Sequence, residues 1–147
     1  MSSSSSPPEP PVLPLIDGAL AEVGDRYPES LARAARWLGV DRPELRVGAA
    51  ELVIEARQGT LQRSASAGGR ATLRLSDTTL LALLEGERDL VAACRAGDVE
   101  LRGDVRALAR FFEAFRVFLH GCVRVPENEA RRGRYRAAGR GGGRHDG

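Results

Sequence analysis

The sequence predicts one small α/β domain of the α+β type, with roughly five mostly antiparallel strands, and three observations lead there. No proline occurs between Pro43 and Pro126, as uninterrupted strands and helices require. The first part of that stretch consists of short runs with the two-residue period of half-buried strands. Its last part is a long run of helical period that holds all four phenylalanines of the chain.

Taken in order, Asp17 is placed to cap a short helix through Val23, and Pro28 suits the first position of another, with Leu31, Ala35 and Leu38 on one face and Trp37 beside it. This helical lead-in is expected to pack across the domain. A short strand is expected around Leu45 and Val47. Next, Leu52, Ile54 and Ala56 alternate with Glu51, Glu55 and Arg57, Val53 being the exception. Gln58 and Gly59 signal a turn into a polar strand over residues 60–66, with Leu61 and Ala65 on one side. Gly68 and Gly69 turn again into residues 71–75, so these three strands read as an antiparallel meander. Ser76 or Asp77 caps a helix carrying Leu80, Leu81, Leu83 and Leu84 that Gly86 ends. A second short helix spans residues 90–95. Gly97 then releases a strand with Val99 and Leu101, and Gly103 and Asp104 supply the turn and cap of the last helix.

On that last helix Val105, Leu108, Phe112, Phe115 and Leu119 recur at steps of three and four, which defines a core-directed face. Phe111 and Phe118 widen it. The small, polar residues of the strand at 60–66 offer little bulk opposite so broad a face, which predicts either a ligand space or a subunit contact there.

With 147 residues the chain suits one core with tails, since a domain usually takes about 100–200 residues. Residues 1–14 hold five serines and five prolines, too little apolar surface to offset the entropy of ordering, and are expected to be disordered. Residues 124–147 hold seven arginines, three acids and six glycines and form a second expected disordered tail, to which the basic pI belongs. The domain is expected over residues 15–123. Arginines spaced by glycines around Tyr135 also suit weak contact with an anionic membrane or RNA.

Composition narrows the chemistry. All 22 cationic side chains are arginine, so no Schiff-base or phosphate-gripping lysine exists. His120 is the one imidazole outside the tail. Cys94 and Cys122 have no metal or disulfide spacing and read as reduced thiols. Asp98 and Asp104 read as turn and cap residues beside Glu100, and Glu85, Glu87 and Asp89 as a solvated connection. His120 reads as a cation near a helix end. No catalytic residue, metal or cofactor is expected. No segment approaches the ~20 apolar residues of a membrane span, and no secretory signal is seen, so a cytoplasmic location is expected.

From Ser76 onward the motif order is that of a known family. Ser76, Asp77, Leu80, Leu81, Leu83 and Gly86 are followed, eleven residues on, by Gly97, Val99, Leu101 and Gly103, and then by the final helix. In this ungapped spacing the chain resembles the sterol carrier protein 2, or non-specific lipid-transfer, domain family over residues 51–119, about half its length. The resemblance implies a sheet covered on one face by helices, and an apolar tunnel for a sterol, fatty acyl or isoprenoid chain. It makes Leu84, Leu108, Phe111, Phe112, Phe115 and Leu119 the lining residues. It departs in lacking a peroxisomal address at Arg144-His145-Asp146-Gly147 and a proline between Glu87 and Leu90. The function so implied is non-enzymatic binding of a lipid or other hydrophobic small molecule. Alternatives are a bacterial accessory factor that presents quinone precursors, as in ubiquinone biosynthesis, to a lipid-modifying enzyme, or an interaction module that forms a homodimer through Phe111 and Phe118.

Overall fold

The computed structural model describes residues 10–66 and 68–125. Its elements are α1 (Val12–Arg26), α2 (Pro28–Leu38), β1 (Glu44–Val47), β2 (Ala50–Arg57), β3 (Thr60–Ser64), β4 (Ala71–Leu75), α3 (Asp77–Leu84), α4 (Leu90–Arg95), β5 (Val99–Gly103) and α5 (Val105–Val123). They form a five-stranded sheet in the order β3-β2-β1-β4-β5 with the helices packed on one face, the α+β architecture anticipated.

Local chemistry sets most element boundaries. The side chains of Ser76, Asp89 and Asp104 accept hydrogen bonds from the backbone N–H groups of Thr79, Ala92 and Ala107 at 3.0–3.1 Å. Each satisfies an amide that has no partner in the first turn. Gly103 has φ +124°, and a Cβ there would collide with the Arg70 carbonyl oxygen, so only glycine can close β5 against β4. Pro28 opens α2, where its missing N–H costs nothing.

Side chains alternate across the sheet. Leu45, Val47, Leu52, Ile54, Leu61, Leu73, Leu75 and Val99 are buried under the helices, while Arg46, Glu51, Arg74 and Glu100 form a charged row on the open face, in register across β2, β1, β4 and β5. Val53, the break in the β2 pattern, is half-buried on that open face.

Four expectations need correction. The meander is β1-β2-β3, not β2-β3-β4: β4 crosses over to pair in parallel with β1, Leu45 opposite Leu73, because its buried trio Ala71, Leu73 and Leu75 belongs at the centre of the sheet, whereas β3 has only Leu61 to bury and lies at the edge. β3 ends at Ser64, leaving Ala65 exposed. Asp17 is no cap: α1 starts five residues earlier, at Val12, and Asp17 grips Arg63 of β3 through two hydrogen bonds of 2.8 Å. The tail boundaries shift too, since Val12 and Val125 are buried. Residues 1–9 and 126–147 lie outside the described residues.

Candidate functional site

The last helix is built as its sequence suggests but is turned differently. Its buried residues include Ala107, Phe111, Ala114, Phe115, Phe118, Leu119, Gly121 and Cys122, while Val105, expected on the core face, is 79% exposed. Leu108 and Phe112 are half-buried against the core. The inward face is therefore centred on Phe111, Ala114 and Phe118. Small residues recur along it every seven positions, at Ala107, Ala114 and Gly121, and they permit close helix contact: a Cβ on Gly121 would come within 2.8 Å of Val23 Cγ1 on α1. That contact could have been sought in the sequence. Which helix answered it could not.

Beneath this face lies a small cavity of about 20 Å³ lined by Ile16 and Leu20 of α1, Leu38 of α2, Leu45, Ile54 and Leu61 of the sheet, and Phe111, Ala114, Phe115 and Phe118 of α5. None of these side chains is polar. Such a space holds roughly one water, which would find no hydrogen-bond partner there, so it is dry. Phe111 and Phe115 are tilted with centroids 6.0 Å apart, and Phe115 and Phe118 stack at 6.4 Å. Opposite the phenylalanines, where a ligand space or a subunit contact was expected, Ile16 and Leu20 of α1 and Leu38 of α2 pack in and leave only this small space.

Of the residues expected to line a site, Phe111 and Phe115 border this cavity. Leu119 instead forms part of a groove on the other side of α5. Leu84 is buried in the core, and Leu84, Leu108 and Phe112 border neither space. Phe111, Phe115 and Phe118 are each at most 5% exposed, so these rings serve the chain's own interior and do not offer a face to a second copy. The contributions of Ile16, Leu20 and Leu38 were missed. Their signal was the apolar period of the lead-in helices.

Two open regions adjoin the cavity layer. A cleft of about 440 Å³ runs between α1 and the edge strand β3, and Leu20 and Leu61 wall both this cleft and the cavity. The Asp17–Arg63 pair spans the same seam. A groove of about 700 Å³ lies between α2, the α3–α4 connection and the end of α5. Its walls include Leu83, Leu90, Val117 and Leu119, together with Arg33, Arg88, Arg116, His120 and Arg124.

The remaining polar candidates have structural partners. Asp98 binds Arg88 at 2.8 Å, and Asp89 and Asp104 are caps. His120 is exposed on the last turn of α5 while Cys122 is buried, so the helix does not bring them together. Cys94 is half-buried. Desolvation, and then the Asp89 charge, push its thiol pKa up, which keeps it protonated and poorly nucleophilic near neutral pH.

The family model for the SCP-2 sterol transfer family matches residues 20–116, a span that takes in the sheet and α5 as far as Arg116, with Phe111, Phe112 and Phe115 but not Phe118. The chain belongs to this family. Lipid binding is accordingly the class of activity to which the SCP-2 fold points, with lipids or other hydrophobic molecules as ligands. Among solved structures, the chain is similar to a UbiJ-SCP2 ubiquinone synthesis protein, with TM-score 0.56 and 19% identity over 76% of this chain and 95% of that one. It is similar to a sterol carrier protein 2, with TM-score 0.54 and 18% identity over 76% and 98%. It also resembles sterol carrier protein domain 2 of Helicoverpa armigera, with TM-score 0.53 and 18% identity over 84% and 98%. These likenesses concern the SCP-2 fold. No curated protein matches the sequence. No described helix is long and apolar enough to cross a membrane.

Proposed function

We propose that the chain is a non-enzymatic binding protein that holds the apolar chain of a fatty acyl, sterol or isoprenoid lipid under α5, with Phe111, Phe115 and Phe118 against it. The observation that carries this reading is a cavity lining with no polar side chain. A site of that kind offers desolvation as its source of affinity and no group for acid-base or nucleophilic work.

At about 20 Å³ the cavity is far below the roughly 300–1,000 Å³ of ligand pockets. Uptake therefore requires the walls to part. The seam between α1 and β3 is the natural place, because Leu20 and Leu61 alone are shared by the cavity and the outer cleft. The part-exposed Asp17–Arg63 pair then acts as a latch whose breaking costs little, since such pairs contribute about 0–1 kcal/mol.

Extraction of the purified chain, with mass spectrometry of what it releases, tests the reading. Recovery of acyl, sterol or isoprenoid molecules is expected, along with displacement of a fluorescent fatty acid and weaker binding in Phe115→Leu. A chain that is lipid-free and also refuses the probe would overturn it. Selective recovery of polyisoprenoid ring compounds would favour presentation of quinone precursors, the role suggested by the similarity to the ubiquinone synthesis protein.

A further inference from the structure

The two edges of the sheet are finished differently. At the β3 edge no strand residue is exposed, and Asp17 of α1 grips Arg63 there. At the β5 edge four of the five strand residues are exposed. Leu101 belongs to the helix-covered side, opposite the fully buried Leu73, yet it is itself 40% exposed. A bare strand edge presents unpaired N–H and C=O groups to any chain that fits it.

The ladder to β4 fixes which groups those are. The Asp104 N–H donates to the Arg70 carbonyl at 3.0 Å, and along an antiparallel pair bonded positions alternate with unbonded ones. On the observed register Arg102 and Glu100 therefore exchange bonds with Thr72 and Arg74, and the backbone groups of Val99, Leu101 and Gly103 point away from the sheet. Antiparallel pairing with the β5 of a second copy, centred on Leu101, brings these outward groups together: Leu101 meets Leu101, and Val99 meets Gly103. Glu100 then lies opposite the partner's Arg102, twice, at the unbonded positions where side chains approach most closely. Neither charge has an ion-pair partner among the described residues of its own chain. An edge of one charge sign would repel a second copy, whereas this edge complements itself.

We propose that two copies of the chain dimerise through β5 in this register, forming one continuous sheet with the helices of both copies on the same face. The pairing covers the exposed part of Leu101 and satisfies the outward amides and carbonyls of the strand. No β5 residue lines the apolar cavity, so dimerisation and lipid binding are separable.

Analytical ultracentrifugation of the full chain over a concentration series should reveal a dimer of the 15.8 kDa chain. The outward amides of Leu101 and Gly103 should gain protection from hydrogen exchange as the dimer forms. Glu100→Arg and Arg102→Glu each turn two attractive cross-strand pairs into repulsive ones and should weaken the dimer about 10-fold. An equimolar mixture of the two variants, or both substitutions in one chain, puts opposite charges at every pair again and should restore association. Arg57→Glu, on β2 beside the other edge of the sheet, should leave association unchanged. A chain that stays monomeric up to about 1 mM, the weak end of specific affinities, overturns the proposal. So does a dimer that ignores both charge reversals, one that the mixture fails to restore, or one in which the Leu101 amide still exchanges freely.

Discussion

On one side of α5, Phe111, Phe115 and Phe118 close around about 20 Å³; on the other, Arg116, His120 and Arg124 border about 700 Å³. One nineteen-residue helix makes both walls. Apolar walls lose dispersion contacts across any gap and gain nothing from a trapped water, so they collapse towards native packing density. Charged walls keep their hydration, and a groove between them stays open. The larger space is therefore a poor guide to where a lipid chain goes. On the proposed function the better guide is the apolar cavity, reached if the α1–β3 seam opens.

The contrast can be broken most severely at its centre. Phe115→Ala should cost about 3–5 kcal/mol in urea unfolding, because the ring is buried and its neighbours relax only partly. A loss below about 1 kcal/mol would show that the cavity walls already yield. Gly121→Ala should destabilise by about 1–3 kcal/mol, against the ~0.5–1 kcal/mol gain that alanine normally brings to a helix interior, since its Cβ meets Val23. Stabilisation instead would mean that α1 moves away from α5 easily.

Smaller effects sharpen the comparison. Asp17→Asn should change stability by less than about 1 kcal/mol yet speed uptake of a fluorescent fatty acid in stopped flow, if the α1–β3 seam is the portal; unchanged uptake would place the opening elsewhere. On the groove side, His120→Ala should shift stability by no more than about 0.5 kcal/mol, as an exposed position predicts. Least visible are the thiols. With its pKa raised, Cys94 favours the protonated form in the folded state; its contribution to stability is present below the unfolded pKa and is lost as pH rises through the folded one. Iodoacetamide should therefore modify it slowly at neutral pH and faster at alkaline pH, with buried Cys122 protected until the chain unfolds.

Much of the fold was legible because it is decided locally. Ser76 and Asp104 cap helices through bonds reaching only three residues ahead, and alternation in residues 51–57 and 71–75 reports which side of a strand is buried; Asp89, read as part of a solvated connection, instead caps α4 in the same way. The candidate site was less legible. Helical spacing put Phe111 and Phe115 on a broad apolar face and the family resemblance made them lining residues, whereas Ile16, Leu20 and Leu38 enter the cavity from helices far away in sequence.

By itself, then, the sequence determined the strands, the caps at Ser76 and Asp104, a glycine at position 103 and the clustering of every phenylalanine on one helix, since each depends on neighbours within a turn or a strand. Only the tertiary structure decided that β4 lies beside β1 and that α5 turns Val105 outward. It also decided that α1 and α2 close the space the phenylalanines leave. Those choices rest on contacts between distant segments competing for the same buried surface, and no local pattern ranks the competitors.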